Sequence, residues 1–99
     1  WAPAIWEGYP SERLSYLSVE AGALIASEYS TATGFYNRGC KTMTHTSMFA
    51  FCKVPIVLFE MGYMTNSTED KKMCDDSFQD TMVQGFVNGI NKYFELLWD

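Results

Sequence analysis

The apolar run at residues 56–59 (IVLF) constrains the fold of this chain more than any other segment. Its four large side chains follow one another without the alternation of a strand that faces water on one side. Such a run indicates a strand covered on both faces, as in a parallel sheet with helices on each side. Pro55 suits the first position of that strand, where a missing N–H does little harm.

Apolar stripes at helical spacing lie on both sides of this run. The first predicts a helix over residues 11–29 that stops near Gly34. The second predicts a long helix after Asp75, Asp76 and Ser77, with a short helix over residues 68–74 before it. The first stripe consists of Leu14, Leu17, Ala21, Leu24 and Ile25, and the second of Phe78, Met82, Phe86, Ile90, Phe94 and Leu97.

Two glycines interrupt the long helix, and each costs roughly 1 kcal/mol relative to alanine in a helix interior. We expect close packing of this helix on a sheet at Gly85 and Gly89 to offset that cost. Residues 48–51 are short and apolar, and a second strand and a single turn are both open for them. The order of elements predicts an α/β fold. It would be a partial three-layer fold with one or two parallel-type strands packed by an N-terminal helix and a long C-terminal helix.

Composition narrows the class of protein. The chain has 99 residues, which suits one domain over residues 1–99, and 47% of them are hydrophobic. A net charge of −5 argues against a nucleic-acid partner, because phosphate binding needs clustered Lys and Arg. No apolar run reaches the about 18 residues that a membrane span requires. The N-terminus lacks the pattern of a signal peptide, and secretion stays open.

The metal-binding side chains are too few and too scattered to form a site. Cys40, Cys52 and Cys74 are widely spaced and odd in number, and no CxxC occurs. We interpret them as small buried or half-buried thiols. His45 is the single histidine and lies in a polar stretch. The sequence therefore predicts no metal ligands within this chain.

The segment at residues 53–73 (KVPIVLFEMGYMTNSTEDKKM) resembles the last strand and following loop of zinc-dependent N-acetylmuramoyl-L-alanine amidases. Its most specific part is EMGYMTN, residues 60–66, and residues 78–94 resemble the terminal helix of the same family. The likeness covers residues 11–97, so the chain looks like the C-terminal half of that catalytic domain. The matched positions are Val54, Pro55, Leu58, Glu60, Gly62, Tyr63, Met64, Thr65, Asn66, Glu69 and Asp70.

The resemblance implies a peptidoglycan hydrolase that cuts the amide between N-acetylmuramic acid and L-alanine. It implies zinc as the cofactor, Glu60 as the general base for a zinc-activated water, and an extracellular or cell-wall setting, with a spore or phage-lysis role open. The family holds zinc with two histidines and a glutamate upstream of the part present here. The zinc ligands are therefore expected upstream of this chain and not within it.

Position also favours Glu60, because ligands bind at the carboxyl ends of parallel strands and the buried run stops there. The alternative is a strand-end glutamate that caps a backbone amide or faces water. Arg38, Tyr63 and Asn66 are candidates for the substrate cleft. Their alternative roles are a solvated charge for Arg38, core packing for Tyr63 and a cap on the following helix for Asn66.

Three interpretations of the function of this chain remain open. The chain is either an active amidase or an inactive amidase fragment, a wall- or partner-binding module that lacks the zinc ligands. An unrelated small α/β interaction domain is the third alternative. If the domain is truncated, a strand made for burial would lie at a sheet edge, and we expect it to associate with the missing N-terminal half or with a second copy.

Overall fold

The computed structural model describes residues 11–40 and 53–98, and this part of the chain folds into three helices. Helix α1 spans Ser11–Thr33, the short α2 spans Ser67–Met73, and α3 spans Asp76–Trp98. The two long helices pack along each other, and α2 packs against α3. His45, Cys52 and the strand candidate at residues 48–51 lie outside the described residues.

Helix α1 buries the stripe that its periodicity predicts. Leu17, Ala21 and Ile25 are buried, and the buried face continues through Tyr29. The helix ends at Thr33, next to the glycine where it was expected to stop, and Gly34 has a φ of +76° and donates its N–H to Ser30 O at 2.8 Å. Glycine adopts this left-handed conformation without strain, which explains the stop.

Helix α3 begins with a side-chain cap and then packs its glycines against α1. Asp75 Oδ1 accepts a hydrogen bond from the N–H of Phe78 at 3.0 Å. A Cβ on Gly89 would overlap the backbone of Ile25, and a Cβ on Gly85 would lie 3.0 Å from Tyr29 Cα. The close approach expected at these glycines is therefore present, but their partner is a helix and not a sheet.

The predicted α/β fold is wrong for the described residues, which contain no strand and no sheet. The segment at residues 53–62 meets α1 through side chains, and it pairs with no strand among residues 11–40 and 53–98. Ile56 donates its N–H to Ser18 Oγ at 2.9 Å, and Met61 O accepts a hydrogen bond from the Tyr29 hydroxyl at 2.6 Å. Burial on both faces is also absent, since 57% of Leu58 is exposed.

An aromatic cluster joins this segment to the two long helices. Phe59 packs edge to face on Tyr29, with ring centroids 4.7 Å apart, and contacts the Phe86 ring at 4.9 Å. Phe35 and Met82 complete the buried centre of this cluster. The apolar run thus buries one side between α1 and α3.

None of the helices described is both long enough and apolar enough to cross a membrane.

Candidate functional site: the Glu60 loop

Glu60 lies on the surface, at the start of a loop that we call the Glu60 loop, residues 60–66. In the part of the chain that the structure describes, its exposed carboxylate takes part in no hydrogen bond or ion pair. The next residue, Met61, is 56% exposed as a whole, while its carbonyl accepts the hydrogen bond from Tyr29. The Glu60 side chain is free to meet a ligand.

The far half of the loop is a turn that leads into α2. Asn66 donates its N–H to Tyr63 O at 3.0 Å, which closes the turn. Asn66 Oδ1 then accepts hydrogen bonds from the N–H groups of Thr68 and Glu69, both at 3.1 Å. These bonds satisfy two of the helix N–H groups that have no partner within the helix. Asn66 therefore caps α2, as one of its two interpretations expected.

Behind the loop lies a buried carboxylate, Glu69, whose side chain is only 6% exposed. Its Oε1 accepts a hydrogen bond from the N–H of Tyr63 at 3.0 Å, and its Oε2 accepts one from the Arg38 guanidinium at 3.1 Å. The guanidinium also lies over the Tyr63 ring, with its carbon 4.0 Å from the ring centroid. The Glu60 loop, the segment that follows α1 and helix α2 thus come together at the Glu69 carboxylate.

Two ionisable groups next to the loop have shifted pKa values. The hydrogen bond from the Tyr63 amide, with help from Arg38, lowers the pKa of Glu69 against the opposing effect of burial. Burial raises the pKa of Tyr29 from 10.0 to about 12, and the negative charge of Glu69 adds to that shift. At neutral pH the first group is a carboxylate that accepts hydrogen bonds, and the second is a hydroxyl that donates one.

The structure brings together three of the four residues that the sequence singled out. Arg38 and Tyr63 meet through Glu69, and Asn66 caps the helix that carries Glu69. Glu60 lies in the same loop as Tyr63 and Asn66, but within the described residues its carboxylate bonds to none of these three side chains. Glu69 was not among the site residues predicted from the sequence, although it lies in the matched motif. Its position three residues after the cap was the available signal.

Residues 11–40 and 53–98 hold no group of three His, Cys, Asp or Glu that could bind a metal ion. Cys40 and Cys74 are exposed free thiols in this part of the chain, so the expectation of buried or half-buried thiols is wrong for these two.

A shallow depression of about 400 Å³ lies where α2 meets α3, and Glu60 is not part of it. Its lining includes Lys71, Lys72 and Phe78. The loop, and not this depression, is the candidate site.

This chain resembles known proteins over most of its length. The family model described as N-acetylmuramoyl-L-alanine amidase matches residues 11–92, which include all three helices in large part and the whole Glu60 loop. The chain is also similar to the uncharacterized protein YqiI of Bacillus subtilis, with 31% identity over 48 residues. That match covers 48% of this chain and 23% of YqiI. No solved structure gives a significant match.

A match of this extent defines the class of protein as one built on a cell-wall amidase domain. The chain belongs to the N-acetylmuramoyl-L-alanine amidase family. The resemblance that residues 53–94 carry in the sequence is thereby confirmed. The chain spans about a quarter of the length of its matched relative.

Proposed function

We propose that this chain is part of the catalytic domain of a peptidoglycan hydrolase that cleaves the amide between N-acetylmuramic acid and L-alanine. The observation that carries the proposal is the family match over residues 11–92, together with an exposed Glu60 on a loop whose backbone is fixed. A general base needs both properties, because it must reach substrate and must keep its place.

Glu60 is the group to which we assign the proton transfers. Its carboxylate accepts a proton from the water that attacks the amide carbonyl, and it then delivers this proton to the nitrogen of the leaving L-alanine. Exposure on the loop supports this role, since substrate and the attacking water can reach the carboxylate. Such a base contributes typically 10²–10⁴-fold to the rate.

Zinc is the cofactor that the family resemblance implies. The described residues do not fit it, since they contain no group of three suitable ligands. We therefore propose that the zinc ligands lie outside the described residues. The proton transfers assigned to Glu60 require no metal ion bound by the described residues. Metal analysis of the purified full-length protein tests, independently of activity, whether the protein holds zinc.

The three cleft candidates now differ in what supports them. Tyr63 is 41% exposed, so its ring could contact a muropeptide beside Glu60. The Arg38 guanidinium donates a hydrogen bond to Glu69 and lies over the Tyr63 ring, which favours a structural role behind the loop. Asn66 has its side-chain oxygen engaged with α2, and a contact with substrate would fall to its amide nitrogen.

We also propose that exposed apolar side chains of the 58–61 segment and of α3 are covered by another polypeptide surface. Leu58 is exposed just before the Glu60 loop, Met61 is exposed within it, and Val83 and Phe94 are exposed on α3. Exposed apolar patches of this kind mark sites of association. The partner would be the remaining half of an amidase domain or a second copy. If the partner is a second copy, light scattering should show a mass above that of one chain of residues 1–99, and a monomer would contradict association with a second copy.

Hydrolysis of purified muropeptides by the full-length protein tests the function. We expect one water to be added for each bond cut, releasing a peptide with a free L-alanine amine, which mass spectrometry detects. This reaction would take place outside the cell or in the wall. If the protein retains muropeptides but releases no such peptide, it is a wall-binding module, and the hydrolase proposal fails.

A further inference from the structure

The buried Glu69 carboxylate is unusual for its place in the fold. It sits in the first turn of a seven-residue surface helix, yet only 6% of its side chain is exposed. Burial of a carboxylate is costly unless both oxygens have hydrogen-bond donors. Here the Tyr63 amide serves one oxygen and Arg38 serves the other. Such an arrangement indicates a specific structural task.

Capping of α2 does not account for that task. A glutamate at this position of a capping box bonds back to the N–H of the cap residue. In this chain the N–H of Asn66 is already donated to Tyr63 O. The Glu69 carboxylate reaches past the cap to the N–H of Tyr63, six residues before it, inside the Glu60 loop.

The loop is held at a second point, close to Glu60. The Tyr29 hydroxyl fixes Met61 O, and Glu69 fixes Tyr63 N. Only Gly62 lies between these two residues, and Met61 follows Glu60 directly. The backbone next to Glu60 is therefore tied to α1 on one side and to α2 on the other.

Arg38 extends this network to the segment after α1. Its guanidinium donates to Glu69 and lies over the ring of the same Tyr63 whose N–H the carboxylate accepts. Both halves of Tyr63, backbone and ring, thus depend on the Glu69–Arg38 pair. Loss of the charge on Glu69 would loosen both.

We propose that Glu69 is a positioning residue that sets the conformation of the Glu60 loop through the Tyr63 amide and through Arg38. It touches no substrate and acts only by holding Glu60 in place. This inference rests on the proposed function for its catalytic meaning. The contacts themselves do not depend on it.

The test compares Glu69→Gln with Asp70→Asn in the full-length protein. Both changes remove one negative charge from the first turn of α2, but Asp70 has no side-chain bond in the part of the chain described. In Glu69→Gln the amide NH₂ would face the Arg38 donor. We expect kcat for muropeptide hydrolysis to fall roughly tenfold with little change in KM, because displacement of a base lowers the rate and not the binding. Asp70→Asn should keep both values.

Hydrogen exchange at the Tyr63 amide provides a readout that needs no activity. Glu69→Gln should raise its exchange rate about tenfold or more, while Asp70→Asn leaves it unchanged. Arg38→Gln is a second variant, in which the Tyr63–Glu69 bond remains and a smaller change in the same direction is expected. Helical circular dichroism shows that each variant is folded.

The outcomes separate this inference from the proposed function. Faster Tyr63 exchange together with a lower kcat supports it. An unchanged exchange rate in folded Glu69→Gln overturns it whatever the activity, and so does faster exchange with an unchanged kcat. A wild-type protein without hydrolase activity refutes the proposed function and, with it, the catalytic role of Glu69. The exchange data would then still decide whether Glu69 fixes the loop.

Discussion

The hydroxyl of Tyr29 on α1 donates a hydrogen bond to Met61 O, 2.6 Å away, and so ties a long helix to the residue that follows Glu60. The donor comes from the buried face of α1 and the acceptor from the surface loop. Two elements that are 32 residues apart in the chain thereby fix the backbone beside the proposed base.

Tyr29→Phe tests that bond through stability. A neutral hydrogen bond contributes about 1 kcal/mol to the free energy of unfolding, so the variant should be less stable by that amount at pH 7. The pKa of Tyr29 is raised to about 12, so the folded protein keeps the proton after the unfolded chain has lost it near pH 10. The contribution is therefore fully present below pH 10 and declines between pH 10 and 12.

Urea unfolding of the wild type and of Tyr29→Phe at several pH values measures this difference. The gap between the two should be constant up to pH 10 and should narrow above it. A gap that stays the same up to pH 11 would show that the hydroxyl does not titrate as the structure indicates.

Glu69 makes stability depend on pH at the acid end. Its pKa is lowered in the folded protein by the Tyr63 amide and Arg38, so its contribution is fully present above the ordinary value of 4.5. It is lost as the pH falls below that value and passes through the folded pKa. Glu69→Gln should thus be less stable than wild type at pH 7, and the difference should shrink towards pH 3. Denaturant unfolding at both pH values checks this, and an equal difference at both would contradict it.

Gly89→Ala should destabilise the packing of α1 on α3. Alanine is favoured in helices by roughly 1 kcal/mol, but the added Cβ would overlap the backbone of Ile25, which cannot move aside easily. We expect a net loss of about 2 kcal/mol in the free energy of unfolding, as for other overpacked sites. Asn91→Ala, on the exposed face of the same helix, is the control and should change little. A stabilised Gly89→Ala protein would refute the close approach of the helices.

Asn66 can be assigned by separating its cap from any contact with substrate. Asn66→Ala should cost about 1 kcal/mol in stability, whereas Asn66→Ser keeps a capping oxygen and most of that stability. If Asn66 also binds substrate through its amide nitrogen, Asn66→Ser will raise KM although the fold is stable. A KM equal to that of wild type in Asn66→Ser leaves the cap as its role.

The helices were largely predictable because local periodicity determines which face a helix buries. Leu17 and Ile25 are buried as their spacing indicates, and Gly34 ends α1 as expected. The strand at residues 56–59 was wrong because an apolar run shows that burial is needed and not which partner provides it. In the described residues that partner is a pair of helices, with Phe59 lodged against Tyr29 and Phe86.

The site was predictable only where a motif marks it. Glu60 and Asn66 stand out in the EMGYMTN segment, and Asn66 forms the cap that one interpretation expected. The roles of Arg38 and Glu69 could not be derived, because their pairing joins residues 31 apart and depends on tertiary structure. A buried carboxylate is visible only once the fold is known.

Glu60 is proposed as the base of an amide hydrolase, and the kcat of Glu60→Gln on purified muropeptides tests this assignment most directly. Glu95→Gln, at an exposed glutamate of α3, is the matched control. We expect kcat of Glu60→Gln to fall by about 10²–10⁴-fold while Glu95→Gln retains the wild-type rate. A Glu60→Gln protein that hydrolyses muropeptides as fast as wild type would contradict the assignment.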